Sequence, residues 1–367
     1  MALKEATLKL WVYDGALGSY DNSNPNYTIT KTKLSSEETI LFEISELAKD
    51  YITVSFNGAY AGAKFTSWVS YELTSVFDTQ TNGIDDKSVE LGTLLGTHAY
   101  GYFEDEINPQ LTTSLQQSNT CIYWKKGEIV RVPLYSGGDI YDIEWYEGQV
   151  VKKVEQASTT LEAITADTTD FRADHFNTIQ LTADTTHKGS LNKNDYSVDS
   201  FSPLGADRAV ITTRDNTEIE VSVHYIDECK NTPYKVTFLN KFGVLQDIWF
   251  FGKRTEKANV SRESFRVNTI QSTSASTFYP TYGHTDKTHN VESKKALTLN
   301  TGFVCEDYNE VVQQLLQSEF VWIHENNKVF PVTPTENSVQ YKTKLYEKLI
   351  NFTLNFDYGY SELNSVR

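Results

Sequence analysis

The feature that most constrains this chain is a period-two alternation that runs into a glycine turn and out again. In Tyr234–Leu239, the residues Tyr234, Val236 and Phe238 share one face and Lys235, Thr237 and Leu239 the other. That is the pattern of a strand with one buried side. After a break at Asn240–Gly243, a second run, Gln246–Phe251, is apolar on both faces, as in a strand covered on both sides or meeting a partner. Gly243 can take the positive φ that the turn between them needs. The stretch predicts two strands and holds no catalytic group.

The same bias runs through all 367 residues, enough for two or three domains with cores of their own. Tyr, Phe and Trp number 22, 19 and 6, and aromatic and Thr side chains fit a pleated surface. A formal charge of −16 argues against a nucleic-acid binder, since phosphate contacts need a basic field. It is read as solubility, the functional alternative being a surface that repels DNA or matches a basic partner. Cys121, Cys229 and Cys305 are widely spaced with no CxxC pair, which predicts buried thiols in a reducing compartment rather than disulfides or zinc. The first residues lack a signal-peptide core, and no run of about 18 apolar residues occurs. These readings predict no membrane span and assembly in cytoplasm.

Alternation predicts further strands at Ala6–Tyr13, Tyr27–Lys33, Trp68–Val76, Cys121–Trp124, Ile129–Tyr135 and Ile140–Tyr146. The last two flank Ser136-Gly137-Gly138-Asp139, a hairpin signal. Ile44, Leu47, Ala48 and Tyr51 fall on one face of a short helix. Residues 1–155 form a first β domain. Residues 156–204, rich in Thr, Asp and Ser, read as an extended connector with one hairpin, of a kind that can wrap a neighbouring subunit. Residues 205–367 form a second β domain with strands at Ile219–Tyr225, Ser264–Thr269, Phe320–Ile323, Lys328–Val332, Gln340–Leu345 and Phe352–Tyr358, and an extended run at Val291–Thr301. Its helix, Tyr308–Ser318, carries Val311, Val312, Leu315 and Leu316 on one stripe. The fold class expected is mainly β: two antiparallel sandwich- or barrel-like domains with one or two short helices, joined by the connector.

Sites for chemistry are scarce. His324-Glu325-Asn326-Asn327-Lys328 begins like the zincin HExxH, but Lys328 replaces the second histidine and Asn326-Asn327 is a turn. Asp21–Asn26 lacks the glycine and terminal Glu of a calcium loop. His284 and His289 flank Asp286 in a polar loop, a weak metal pattern. Tyr279 and Tyr282 suit either an aromatic platform for sugars or an ordinary interface. With 49 acidic residues, facing carboxylates are expected by chance. No nucleophile elbow, phosphate loop or dinucleotide fingerprint is present. The expectation is a chain that is not an enzyme and needs no cofactor or metal. Trp249, Phe250, Phe251, Trp322, Tyr341 and Phe352 are its anchors, with core packing favoured over contact for any one of them.

Three segments resemble virion structural proteins of tailed bacteriophages. They are Lys235–Gly243 with Gln246-Asp247 and Trp249-Phe250-Phe251; Leu297–Phe303 running into the helix and Phe320–Ile323; and Tyr341-Lys342-Thr343 through Lys348–Leu354, Phe356-Asp357-Tyr358 and Asn364–Arg367. The likeness covers about residues 220–367 and is one of patterning and order. It implies a tail, baseplate or tail–capsid adaptor subunit, located in the virion after assembly in the host cytoplasm. Such a subunit works by oligomeric packing against copies of itself and other virion proteins. The alternative is a receptor-binding module that reads host surface glycan through loop aromatics and carboxylates.

Overall fold

A computed structural model describes residues 2–14, 18–34, 39–59, 65–81, 84–105, 115–125, 129–135, 140–156, 176–182, 196–201, 207–213, 218–336 and 350–363. The chain is mainly β and divides into two compact units. Unit 1 takes Met1–Asp227, Thr237–Ile248 and Asp307–Ser318; unit 2 takes Glu228–Val236, Trp249–Glu306 and Glu319–Arg367.

Unit 1 opens with β1 (Leu3–Tyr13), β2 (Tyr27–Thr32), helix α1 (Ser45–Lys49), β3 (Thr66–Thr81) and β4 (Ile84–Thr97). The four strands form an antiparallel sheet in the order β2-β1-β3-β4. The alternation read in β1 puts Leu8, Leu10 and Val12 on one face, where Val69 of β3 and Ala48 of α1 complete a core with half-buried Phe42, Ile44 and Leu47. Each such apolar side chain contributes about 1.5–3 kcal/mol on burial. Gly92 in β4 makes room for the Tyr71 ring, which would stand 2.4 Å from any Cβ there.

The chain continues through β5 (Cys121–Lys125), β6 (Ile129–Tyr135), β7 (Ile140–Glu147), β8 (Val150–Gln156), β9 (Phe176–Thr182), β10 (Tyr196–Phe201), β11 (Arg208–Thr213) and β12 (Glu218–Ile226). Five of these form a sheet ordered β5-β12-β11-β7-β8, and three form β10-β9-β6. The turn expected at Ser136–Asp139 lies outside the described residues, and the strands that flank it are not hairpin partners. β6 pairs with β9, whereas β7 pairs with β8 and β11. Consecutive strands here enter different sheets, and the tight turn comes one strand later at Gly148, with φ +59. In the connector, β9 and β10 pair in parallel, not as a hairpin; residues 157–175, 183–195 and 202–206 lie outside the described residues. The division expected at residue 205 also shifts. β11 and β12 pair with β7 and β5, and the helix predicted near 308–318 groups with unit 1. Alternation specifies that a strand forms, not which neighbour it chooses.

The organising stretch appears as β13 (Tyr234–Leu239) and β14 (Leu245–Phe250). The chain passes between the units within each of them, after Val236 and after Ile248. Gly243 has φ +73, and an added Cβ would lie 2.7 Å from the Ala99 nitrogen and 2.8 Å from Thr97, so the turn requires glycine. Within unit 1, Asn240 is fully buried. Its amide donates to the Gln116 carbonyl (2.7 Å) and to Gln246 Oε1 (3.0 Å), and Gln246 in turn donates to Asn119 Oδ1 (3.1 Å). Helix α2 (Tyr308–Gln317) buries Val311, Val312 and Leu315 of its expected stripe, while Leu316 is half-buried and Gln314 fully buried. Its Tyr308 hydroxyl accepts from the Tyr123 amide at 3.2 Å. These polar groups are matched pairwise, which is the condition for burying them without large cost.

The strands of unit 2 are β15 (Thr255–Arg266), β16 (Gln271–Ser272), β17 (Thr277–Phe278), β18 (Asp286–Asn300), β19 (Val321–Glu325), β20 (Lys328–Pro334) and β21 (Thr353–Tyr358). The large sheet runs β14-β13-β19-β20-β21-β18-β15. Asn326 and Asn327, with φ +49 and +60, make the two-residue turn between β19 and β20. Leu297, Leu299, Leu354, Phe356 and Phe250 are buried on this sheet, with Phe250 edge-on to Phe356 at 6.0 Å. No sheet of the described residues closes into a barrel. The expectation of three buried thiols holds only for Cys121, since Cys229 is exposed and Cys305 intermediate; none of the three is in a disulfide.

Candidate functional site

Of the six anchors expected from sequence, five are described, and all five are buried residues of unit 2. Phe250 is fully buried, Phe251, Phe352 and Trp249 nearly so, and Trp322 is 9% exposed. Trp249 stacks on Phe251 at 6.4 Å and Trp322 on Phe320 at 6.1 Å. They pack the core and leave less than a tenth of their surface exposed. Tyr341 lies outside the described residues.

The surface that stands out is a ribbon that the sequence reads as a short strand at Ser264–Thr269, a polar loop and an extended run at Val291–Thr301. β15 and β18 pair antiparallel from Thr255↔Thr298 to Arg266↔Asp286, with a bulge at Glu263/Ser264. All twelve residues of β15 are exposed. A twelve-residue strand spans about 40 Å. The root half of β18, Ala296–Asn300, is flanked by β21, which pairs with it residue for residue. Beyond Ser293 the ribbon has no third strand among the described residues. Its far end carries the small β16–β17 pair and a cap of exposed apolar groups. There Phe265, Ile270, Phe278, Tyr279 and Tyr282 are 42–80% exposed, and Val260, opposite Ser293 midway along the ribbon, is 51% exposed. A two-stranded ribbon is at best marginally stable alone in water, and a cluster of exposed apolar side chains marks an interaction surface.

The root, by contrast, is held tightly. Arg254, the residue before β15, lies over the Tyr234 ring at 4.3 Å and donates to the Tyr358 hydroxyl at 3.1 Å. It forms ion pairs with Glu256 at 2.5 Å and with Glu325. The Tyr358 hydroxyl donates to Glu325 Oε2 at 2.9 Å. The Arg254 and Glu325 side chains are each only 13% exposed. Burial alone would lower the Arg254 pKa, but the Glu325 carboxylate outweighs it and the guanidinium is held above its usual value. Burial first, and then the bond to Glu325, push the Tyr358 phenol well up, so it remains a neutral donor. A second latch secures β18: Ser293 donates to Glu362 Oε2 at 2.9 Å, Lys295 lies 3.3 Å from Glu362, and the Glu362 amide donates to the Ser293 carbonyl at 2.8 Å.

The other motifs resolve into structure. Glu325, second in the zincin-like run, serves the root cluster. His289 belongs to β18, not a loop, and sits 3.3 Å from Glu263 and edge-on to Phe265. In the acidic loop, Asp21 accepts from the Ser23 hydroxyl (2.6 Å), the Ser23 amide (2.9 Å) and Asn24 (2.6 Å). These bonds, the Ser23 hydroxyl foremost, hold its carboxyl below the usual range. No group of three or more potential metal ligands occurs among the described residues. Nor is any helix there long and apolar enough to cross a membrane. Compared with protein-family models, curated proteins and solved structures, the chain matches none.

Proposed function

We propose that this chain is a structural subunit that acts by oligomeric assembly and not by catalysis, as a tail, baseplate or tail–capsid adaptor component of a tailed-phage virion. The observation that carries the reading is the ribbon, a long two-stranded arm exposed along the whole of β15 yet fastened at its root by a nearly buried ion pair. Such an extension gives a subunit a surface with which to reach a neighbour. The patterning likeness at residues 220–367 adds the virion context, with assembly in the host cytoplasm.

Sedimentation of the purified chain across a concentration series tests assembly, and immunogold imaging of particles tests location. The reading expects a self-associating species and label in the tail region. A chain that stays monomeric at about 100 μM and is missing from purified particles refutes it.

The second reading, a glycan-reading module, is favoured by Tyr279 and Tyr282, 67% and 80% exposed at the arm tip. Such rings can stack on sugar faces. A glycan array separates the two: selective binding lost in Tyr279→Ala/Tyr282→Ala favours the receptor module.

A further inference from the structure

Two edge strands among the described residues are long and expose apolar groups. β15 ends the seven-stranded sheet and β4 ends the four-stranded one. Edge strands are usually kept short, bulged away or cleared of apolar groups, because open backbone donors and acceptors recruit another strand. β4 is fourteen residues long and exposes Ile84 (70%), Val89 (60%), Leu91 (70%) and Leu94 (49%). β15 is twelve residues long and exposes Val260 and Phe265.

Their charges are complementary. Residues 255–300 carry six Lys and Arg against four Asp and Glu, a net +2, so the rest of a chain totalling −16 carries −18. On β4 the charges are Asp85, Asp86 and Glu90 against Lys87. On β15 they are Lys257, Arg262 and Arg266 against Glu256 and Glu263. Arg262 and Arg266 are four residues apart, as are Asp86 and Glu90. One antiparallel register therefore sets Arg266 opposite Asp86 and Arg262 opposite Glu90, and i/i+4 positions of a strand share a face.

Resting on the assembly reading above, we propose that the outer edge of β15 in one copy pairs antiparallel with the outer edge of β4 in a second copy of this chain. Backbone ladder bonds supply the affinity and the two Arg–carboxylate pairs select the register. Because the joined surfaces differ, the contact is head-to-tail. Repeated, it builds a closed ring or a filament.

A charge-swap mixing experiment tests this. Variant one is Arg262→Glu/Arg266→Glu, and variant two is Asp86→Lys/Glu90→Lys. Sedimentation should show wild type associated and each variant alone monomeric. An equimolar mixture should reassociate, since each variant supplies an edge that fits the other. High salt should loosen the wild-type association. Circular dichroism melts check that the variants fold. Should one fail to fold, Arg262→Cys in one tagged copy and Glu90→Cys in another provide a second measurement, and a disulfide mapped between these two positions is the expected product. If wild type associates and the variants associate equally, or the mixture fails to recover, or the cysteine pair does not cross-link, edge pairing is overturned while the assembly reading stands. If wild type itself is monomeric, edge pairing falls, and the assembly reading falls with it only when the chain is also missing from purified particles.

Discussion

Two consecutive strand pairs in this chain live in opposite environments. In β13 and β14, nine of twelve residues are buried, including Val236, Phe238, Ile248 and Phe250. In β15 none is, and its partner β18 buries side chains only from Ser293 onward. Backbone pairing alone does not explain how both persist. The first pair is stabilised by removing apolar area from water, at about 25 cal/mol per Å². The ribbon is stabilised from its root, by Arg254, Glu325, Tyr358 and the Ser293–Glu362 latch. One pair is an element of the fold, and the other is an appendage for which stability and function separate.

The largest expected effect lies in the buried pair. Phe238→Ala removes a fully buried ring and should destabilise by about 3–5 kcal/mol, read as a lowered midpoint in urea unfolding. A loss below about 1 kcal/mol would mean the hairpin is not the core of its unit. Asn240→Ala comes next. It leaves the Gln116 carbonyl and Gln246 Oε1 without the donor they share, and a buried group so orphaned costs about 1–3 kcal/mol.

The root of the ribbon sharpens the contrast. Arg254→Met leaves a Glu325 side chain that is 13% exposed with the Tyr358 hydroxyl but no cation, and stripping the countercharge from a largely buried carboxylate should cost about 2–4 kcal/mol. The distinctive readout is spatial. Amide hydrogen exchange should speed up along β15 and the arm end of β18 while β13 and β14 keep their protection. Uniform acceleration would mean that the root cluster supports the whole of its unit instead.

Alkaline pH probes the turn between the buried strands, where half-buried Tyr100 donates its amide to the Lys241 carbonyl at 2.9 Å. Burial, with a smaller contribution from Glu310, pushes the Tyr100 phenol up to about 12, against a lowering bond from Tyr102. Unfolded tyrosine titrates near 10. The folded form therefore holds its proton more tightly, and the stability this brings is complete below pH 10 and is lost between 10 and 12. Unfolding midpoints across that range should fall more gently in Tyr100→Phe than in wild type. Parallel curves would show that Tyr100 is open to water.

Much of this was legible in the sequence, and what was missed has a common cause. The strands at Tyr234–Leu239 and Ala6–Tyr13, the helix carrying Val311, Val312, Leu315 and Leu316 and the Asn326-Asn327 turn come from local patterns, and each element forms where expected. Thr237 and Leu239 are buried as well, however, so β13 is covered on both faces rather than one. Partner choice is not local. Ser136–Asp139 reads as a hairpin although β6 and β7 enter separate sheets, and β11 and β12 return to strands more than 60 residues earlier. The anchors were identifiable as large apolar residues, yet burial inside the sheet is what such residues normally do. The ribbon went unrecognised because Thr255–Glu263 has no apolar period. In a strand, that lack is itself the sign of two open faces.

The smallest effect is also the sharpest test of the comparison. Val260 is 51% exposed on a strand with no covered face, so Val260→Thr keeps the β-branched shape and removes nothing that packs. Unfolding free energy measured below the association threshold should stay within about 0.5 kcal/mol of wild type. Self-association, read by sedimentation on the same sample at higher concentration, should weaken, because the methyl removed would then be covered by a neighbouring copy. A monomer destabilised by more than about 1 kcal/mol would mean that β15 is already packed in the isolated chain. In that case the two strand pairs would differ in degree only, and the ribbon would be part of the fold after all.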